Sequence, residues 1–329
     1  MVSSRQVALR AGVSRSTVSQ VLNGHEERFA AHTVALVQEA AEALGYRPSA
    51  AARTLARGTS DIVITLLPDI TFGPRLRDLV DALTAGLSSR GFTHLLRLST
   101  ADEALDEAIL ELRPHAVISL GPLPQPDLER LKRHRVLVVD QLSAIQEQVD
   151  IAIGRRQAQH LAACGYSAIA VALPHDAREQ RFASPRTAGV HDWCLRNQLQ
   201  VLPTMQVRLE RDGALDAVRN LPAVPVGVAA YNDEVALSVL SASHVLGRQV
   251  PTEIGIIGVD RSRISQIAAP TLTTIDFDLE YSATKMLDLI VSKKNEPLVR
   301  SDIEEVEHRL TVVDGGSTAT SLRPMSNND

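Results

Sequence analysis

From Ile62 onward the chain alternates short apolar runs with longer segments of helical periodicity, and that alternation leaves few folds open. IVITLL (62–67), HLLRL (94–98), AVISL (116–120), VLVVD (136–140), IAVAL (169–173), VGVAAY (226–231) and IGIIGVD (254–260) read as strands buried on both faces, as in a parallel sheet. Arg75–Ser89, Gln157–Cys164, Arg186–Asn197 and Glu234–Leu246 read as helices between them. The pattern predicts a doubly wound α/β architecture, and 329 residues suit a small domain followed by two such lobes. Ligands of open parallel sheets bind beyond the carboxyl ends of the strands. Four runs finish at, or just before, a polar group: Asp69, Asp140, Asn232 and Asp260. Each alone reads as a cap of the following turn; together they predict a polar cleft.

The first residues follow a different logic. In VALRAGVSRSTVSQVLN (7–23), Val7, Ala8 and Ala11 recur at helical intervals, and Gly12 supplies the positive φ of a tight turn between helices. Ser14 is placed to cap a second helix, whose Val18, Val21 and Leu22 share one apolar face. The opposite face carries Arg15, Ser16, Ser19 and Gln20, which can bond base edges or phosphates from the major groove. Arg15 can bind guanine bidentately and Gln20 can pair with adenine. A solvated polar face would look similar, but the whole turn pattern matches a helix-turn-helix.

VALRAGVSRSTVSQVLNG, with EAAEALGYRPSAAARTLARG (39–58), resembles the DNA-binding headpiece and hinge of the lactose repressor/galactose repressor (LacI/GalR) family, and the resemblance continues to about Thr318. It implies a helix-turn-helix headpiece (1–46), a hinge (47–59), a two-lobed, periplasmic-binding-protein-like effector and dimerisation core (60–314), and a polar, disordered tail (315–329). It also implies that Arg15, Ser16 and Gln20 read bases, within a DNA-contacting set completed by Ser14, Thr17, Ser19 and Asn23. Many family members carry arginine at the position of Gln20, so the expected half-site is not the family's commonest. Pro48 fixes the hinge entry, Ala50–Ala52 favour helix and Gly58 ends it, but so short a helix is unstable alone. By the resemblance it folds on DNA, with Leu55, beside Ala52, wedged into the minor groove.

The same resemblance places Asp140, Arg186, Asn232 and Asp260 in the effector pocket, and Asp69 and Phe72 of PDITFGPR (68–75) are further effector-binding candidates. Paired aromatics common in the family are missing from that segment; Phe182 and Trp193 are the other stacking candidates, though core packing serves them equally. Val149-Asp150-Ile151 replaces a usual Asp-Asn, Arg155 and Arg156 follow, and Arg261 stands where a second acid is common. These arginines raise an anionic effector as one possibility beside plain surface charge, leaving a sugar, sugar phosphate, carboxylate or purine-like molecule open.

The net charge of −5 conceals a division, because residues 1–58 hold seven arginines against four glutamates. A basic headpiece on an acidic core suits phosphate attraction with little nonspecific adhesion. Cys164 and Cys194 are too few and too dispersed for a disulfide framework or metal site. No cofactor or catalytic set is expected, since the phosphate-loop, dinucleotide, nucleophile-elbow and zinc motifs are all missing. The expectation is a cytoplasmic, homodimeric regulator of a palindromic operator, without membrane contact and probed against three rivals: a solute-binding sensor with a degenerate headpiece, an effector-independent repressor and an α/β enzyme carrying a DNA-binding domain.

Overall fold

The computed structural model describes residues 2–23, 26–46, 54, 57–70, 73–99, 105–292 and 300–319. The headpiece consists of α1 (Ser4–Ala11), α2 (Arg15–Leu22) and α3 (Ala31–Ala43) around Val7, Val18, Val21 and Val37, each at most 1% exposed. Gly12 takes φ 66° at the end of α1, as the turn requires. The hinge residues Pro48, Ala50, Ala51, Ala52 and Leu55 lie outside the described residues.

The first lobe contains β1 (Ile62–Pro68), α4 (Pro74–Ser89), β2 (Thr93–Ser99), α5 (Glu107–Glu111), β3 (Ala116–Ser119), α6 (Gln125–Arg133) and β4 (Leu137–Val139). Its strands are parallel in the order β2-β1-β3-β4. Helix α7 (Gln141–Ala163) then crosses to the second lobe, which holds β5 (Ala168–Pro174), α8 (Gln180–Arg196), β6 (Gln200–Val201), β7 (Met205–Val207), α9 (Leu215–Arg219), β8 (Val226–Ala230), α10 (Asp233–Val245), β9 (Ile254–Val259) and β10 (Thr273–Asp276). The chain returns so that α11 (Leu279–Ser292) packs on α4 in the first lobe, and after α12 (Arg300–His308) it crosses again to β11 (Thr311–Val313). The second sheet runs β11-β10-β9-β8-β5-β6, with β7 also paired to β5 and only the β10–β11 pairing antiparallel. The interlobe crossings put the carboxyl ends of both sheets around a common cleft, the two-lobed doubly wound architecture that the alternation predicts.

Three expectations change. Helix α7 starts at Gln141, sixteen residues before Gln157, because Ile145, Ile153, Gln157 and Leu161 form one buried stripe that Gln146 and Asp150 interrupt. Helix α8 starts at Gln180, six residues before the expected Arg186, and carries Pro185 in its interior. The segment 315–319, expected as disordered tail, is built into the second lobe. Ser317 is fully buried and its Oγ donates to the Ile256 carbonyl at 2.6 Å, while a Cβ on Gly315 would overlap the Leu272 backbone. The paired glycines permit close approach there; residues 320–329 lie outside the described set.

Helices α7 and α8 cross with almost no space between backbones. A Cβ on Gly154 would strike the Arg186 carbonyl, and one on Gly189 would strike the Ile151 carbonyl. Gly154→Ala should therefore destabilise the core by about 1–3 kcal/mol. Denaturant unfolding measures this, and an unchanged midpoint would show that the helices are farther apart.

Candidate functional site

Two places concentrate unsatisfied polar chemistry. The first is the outer face of α2. Ser14 Oγ accepts the Thr17 N–H at 3.0 Å, fixing the helix start, and lies 2.7 Å from Ser16 Oγ. Ser14, Arg15, Ser16 and Ser19 are exposed, whereas Thr17, Gln20 and Asn23 are partly buried. Arg15 Nε donates to Ser4 Oγ at 3.2 Å, and Asn23 Nδ2 donates to Ser19 Oγ at 3.2 Å. The helix contains no acidic residue, so this face offers donors without carboxylate repulsion toward phosphate.

The second place is an interlobe cavity of about 220 Å³. Arg186, Asn232 and Asp260 line it together, as does Phe182. Trp193 instead packs against the second-lobe core. Asp69 is exposed beside the cavity and pairs with Arg178 at 3.2 Å. Phe72 lies outside the described residues. Asp140 does not join the group: β4 ends at Val139 and runs directly into α7, so Asp140 faces a separate groove with Leu128, Lys132 and Arg135. Its effector-pocket assignment is corrected accordingly.

Asp150, noted in the sequence only as a departure, faces Arg186. The carboxylate is fully buried in the middle of α7, 2.5 Å from Arg186 Nη2, and also accepts from Gln146 Nε2 at 2.9 Å. Arg186 Nη1 donates to the Tyr231 carbonyl, and the guanidinium lies 4.7 Å from the centre of the Tyr231 ring. Burial opposes the charge on Arg186, but Asp150 more than compensates and its pKa is raised. Tyr231 in turn donates its hydroxyl to buried Glu179 at 2.8 Å. Across the cavity, Arg75 donates to Asp276 at 2.7 Å and to the Phe277 carbonyl, and its guanidinium stacks 4.6 Å from the Phe277 ring.

The carboxylates are less evenly served. Asp233 is buried and satisfied, accepting from Ser262 N–H at 2.6 Å and Thr274 Oγ1 at 2.7 Å. Asn232 Oδ1 caps α10 by accepting the Val235 N–H at 3.0 Å, which leaves its amide hydrogens for the cavity. Among the described residues Asp260 and Glu234 make no side-chain hydrogen bond or ion pair. Asp260 sits at φ 103° and Arg261 at φ 46°, a left-handed turn that sets the carboxylate at the end of β9. Burial pushes the Asp260 carboxyl up to about 7; Asp233 and Glu234 add to the shift, while Arg186 and Arg75 oppose it.

The arginines that suggested an anionic ligand are elsewhere. Arg155 pairs with Asp192 at 3.3 Å, Arg156 reaches Gln159, and Arg261 pairs with Asp276 at 3.0 Å; none lines the cavity. The lining charges are Arg75 and Arg186 against Glu179, Glu234 and Asp260. Among the described residues no group of three histidine, cysteine or acidic side chains could hold a metal, and no helix is long and apolar enough to cross a membrane.

Family comparisons agree with both halves of this geometry. The family described as bacterial regulatory proteins, lacI family, matches residues 5–49, and the periplasmic binding protein-like domain matches residues 158–318. The ribose operon repressor of Escherichia coli (strain K12) is 27% identical over 320 residues, covering 91% of this chain and 95% of that protein. A lac repressor dimer bound to operator and the anti-inducer ONPF superposes with a TM-score of 0.72 at 22% identity, over 97% of this chain and 99% of its own. A complex of the transcriptional regulator CelR with cellobiose gives a TM-score of 0.59 at 22% identity, over 96% and 100%.

Two outcomes are expected at the cavity. Asp150→Ala should cost about 3–5 kcal/mol in denaturant unfolding, because it strands the buried Arg186 charge; a loss below 1 kcal/mol, about that of an exposed pair, would show that water already reaches it. Because its folded pKa is raised, Asp260 holds a proton that the unfolded chain has released, so its contribution to stability is lost as pH rises through about 7. Asp260→Asn should flatten the fall in stability between roughly pH 4 and pH 7. An unchanged slope would assign that fall to other groups.

Proposed function

Since the chain belongs to the LacI family of bacterial regulatory proteins, we propose that it is a sequence-specific transcriptional repressor whose operator affinity is set by a small molecule in the interlobe cavity. The observation that carries this reading is the exposed, acid-free face of α2, held by the Ser14 cap within the segment that matches the family. Arg15, Ser16 and Gln20 are assigned to base edges, and Ser14, Thr17, Ser19 and Asn23 to phosphates and positioning. Ala52 and Leu55 of the hinge are assigned to the minor groove. The division into headpiece (1–46), hinge (47–59) and core (60–314) is proposed with one adjustment, since 315–319 belongs with the core.

The protein acts as a homodimer, and the first lobe supplies a surface for it. Edge strand β2 exposes Leu95, Leu96 and Leu98 at 38%, 48% and 64%. An unpaired edge with exposed leucines is an aggregation hazard in a monomer and a docking strip for a second copy. Two copies place two α2 helices on a two-fold related site, which specific affinity requires. On this reading the protein is a cytoplasmic regulator that catalyses no reaction.

Effector binding alters operator affinity if the ligand favours one closure of the lobes, and a coupling of about 1–3 kcal/mol changes that affinity roughly 5- to 150-fold. Arg186, Asn232 and Asp260 are assigned to the ligand, with Asp69 at the rim and Phe72 in the segment beside it. The relatives and solved structures named above include a ribose operon repressor and a cellobiose complex, so a small organic molecule is the expected class.

Arg15→Ala should weaken binding to the selected operator by about 1–3 kcal/mol and relax the preference at one base pair. Fluorescence anisotropy on matched and single-substituted duplexes reads both effects. An equal loss on every sequence would confine Arg15 to phosphate contact.

A further inference from the structure

Each arginine of the cavity is already paired with a carboxylate. Arg186 is held by Asp150 and the Tyr231 carbonyl, and Arg75 by Asp276 and the Phe277 carbonyl, with Arg75 Nε buried and unpartnered. An anionic ligand would share each guanidinium with a carboxylate already in place, which limits what its charge gains there. The acceptors are in the opposite condition. Asp260 and Glu234 line the cavity without a side-chain partner among the described residues, although their neighbour Asp233 is saturated by Ser262 and Thr274. The first-lobe lining is apolar at Leu76, Leu79 and Leu279, with Arg75 as its charged member. At about 220 Å³ the space lies below the roughly 300–1,000 Å³ of drug-sized pockets and suits a single ring.

We propose that the effector is an organic ammonium, a small apolar or cyclic body whose protonated nitrogen lies between Asp260 and Glu234. The proposal rests on the effector-cavity reading given above and narrows its ligand class. Its electrostatic logic is direct: the ligand supplies the positive charge that Asp260 lacks, and its ring replaces water against the first-lobe leucines. The charged groups facing Asp260 are Arg186 of α8, Asp233 and Glu234 of α10 and Arg75 of α4. Arg186 and Arg75 act on Asp260 without forming an ion pair to it among the described residues, so the ligand nitrogen is the cation that can sit directly against ionised Asp260. Affinity should therefore rise as pH increases through about 7, where Asp260 ionises, and Asp260→Asn should abolish that rise.

The test is calorimetric titration of the full-length protein with three matched probes, cyclohexylammonium, cyclohexanol and cyclohexanecarboxylate, at millimolar concentrations. The expected result is that the ammonium binds about 10-fold or more tightly than the alcohol, that the carboxylate does not bind, and that Glu234→Gln and Asp260→Asn each erase the preference. Binding of the alcohol or the carboxylate at least as tightly as the ammonium overturns the proposal. Failure of the ammonium to bind, or a preference that survives both substitutions together, overturns it too. Far-ultraviolet circular dichroism of the variants controls for folding. Anisotropy with operator DNA separates this proposal from the reading beneath it: an ammonium that binds as described but leaves operator affinity unchanged defeats effector control, whereas a neutral or anionic ligand that shifts operator affinity defeats only the ammonium assignment.

Discussion

The buried pair between Asp150 and Arg186 is the interaction on which the cleft depends. Neither partner reaches it by chance of surface geometry. Gly154 and Gly189 let α7 and α8 approach until backbone meets backbone, and the crossing carries the Arg186 guanidinium to a carboxylate that water does not reach. A buried ion pair is weak evidence of net stability, since desolvation of two charges offsets much of their attraction. Its value here is positional. It fixes the guanidinium against Tyr231, whose hydroxyl holds Glu179, and so orders one whole wall of the cavity. Because α7 is also the first connection between the lobes, the same contact ties the site to the element through which lobe movement passes.

Much of the fold is legible in the sequence because two periods are written strongly. The β-branched runs at 62–67, 169–173 and 254–260 are buried on both faces, and nothing but a covered parallel sheet uses such runs. The headpiece is legible through Gly12 and Ser14, each required by a backbone geometry that few residues satisfy. Short elements leave less trace. Strands β6 and β7 have two and three residues, too few for a pattern, and helix α7 hides behind a stripe in which a glutamine and an aspartate occupy buried positions.

The cavity is legible in outline. Asn232 and Asp260 stand at strand ends where the topology converges, Arg186 stands in the second turn of α8, and the structure brings them together. Asp140 has the same local signature, yet a strand three residues long that passes directly into a helix turns it toward a different groove. Asp150, Glu179 and Arg75 carry no local signal at all, because their roles arise from tertiary partners more than twenty residues away in sequence. The charge of Arg155, Arg156 and Arg261 is taken up elsewhere, by Asp192 on α8, by Gln159 one turn along α7 and by Asp276 on β10.

The central claim is that two copies of an acid-free α2 face read one two-fold symmetric site. Its most direct measurement is selection of bound duplexes from a random-sequence pool with the purified full-length protein, followed by sequencing of the retained DNA. The account predicts enrichment of a single pseudo-palindromic motif, with half-sites separated as two related headpieces require. Retention of DNA without an enriched motif, or of a motif lacking two-fold symmetry, would contradict it.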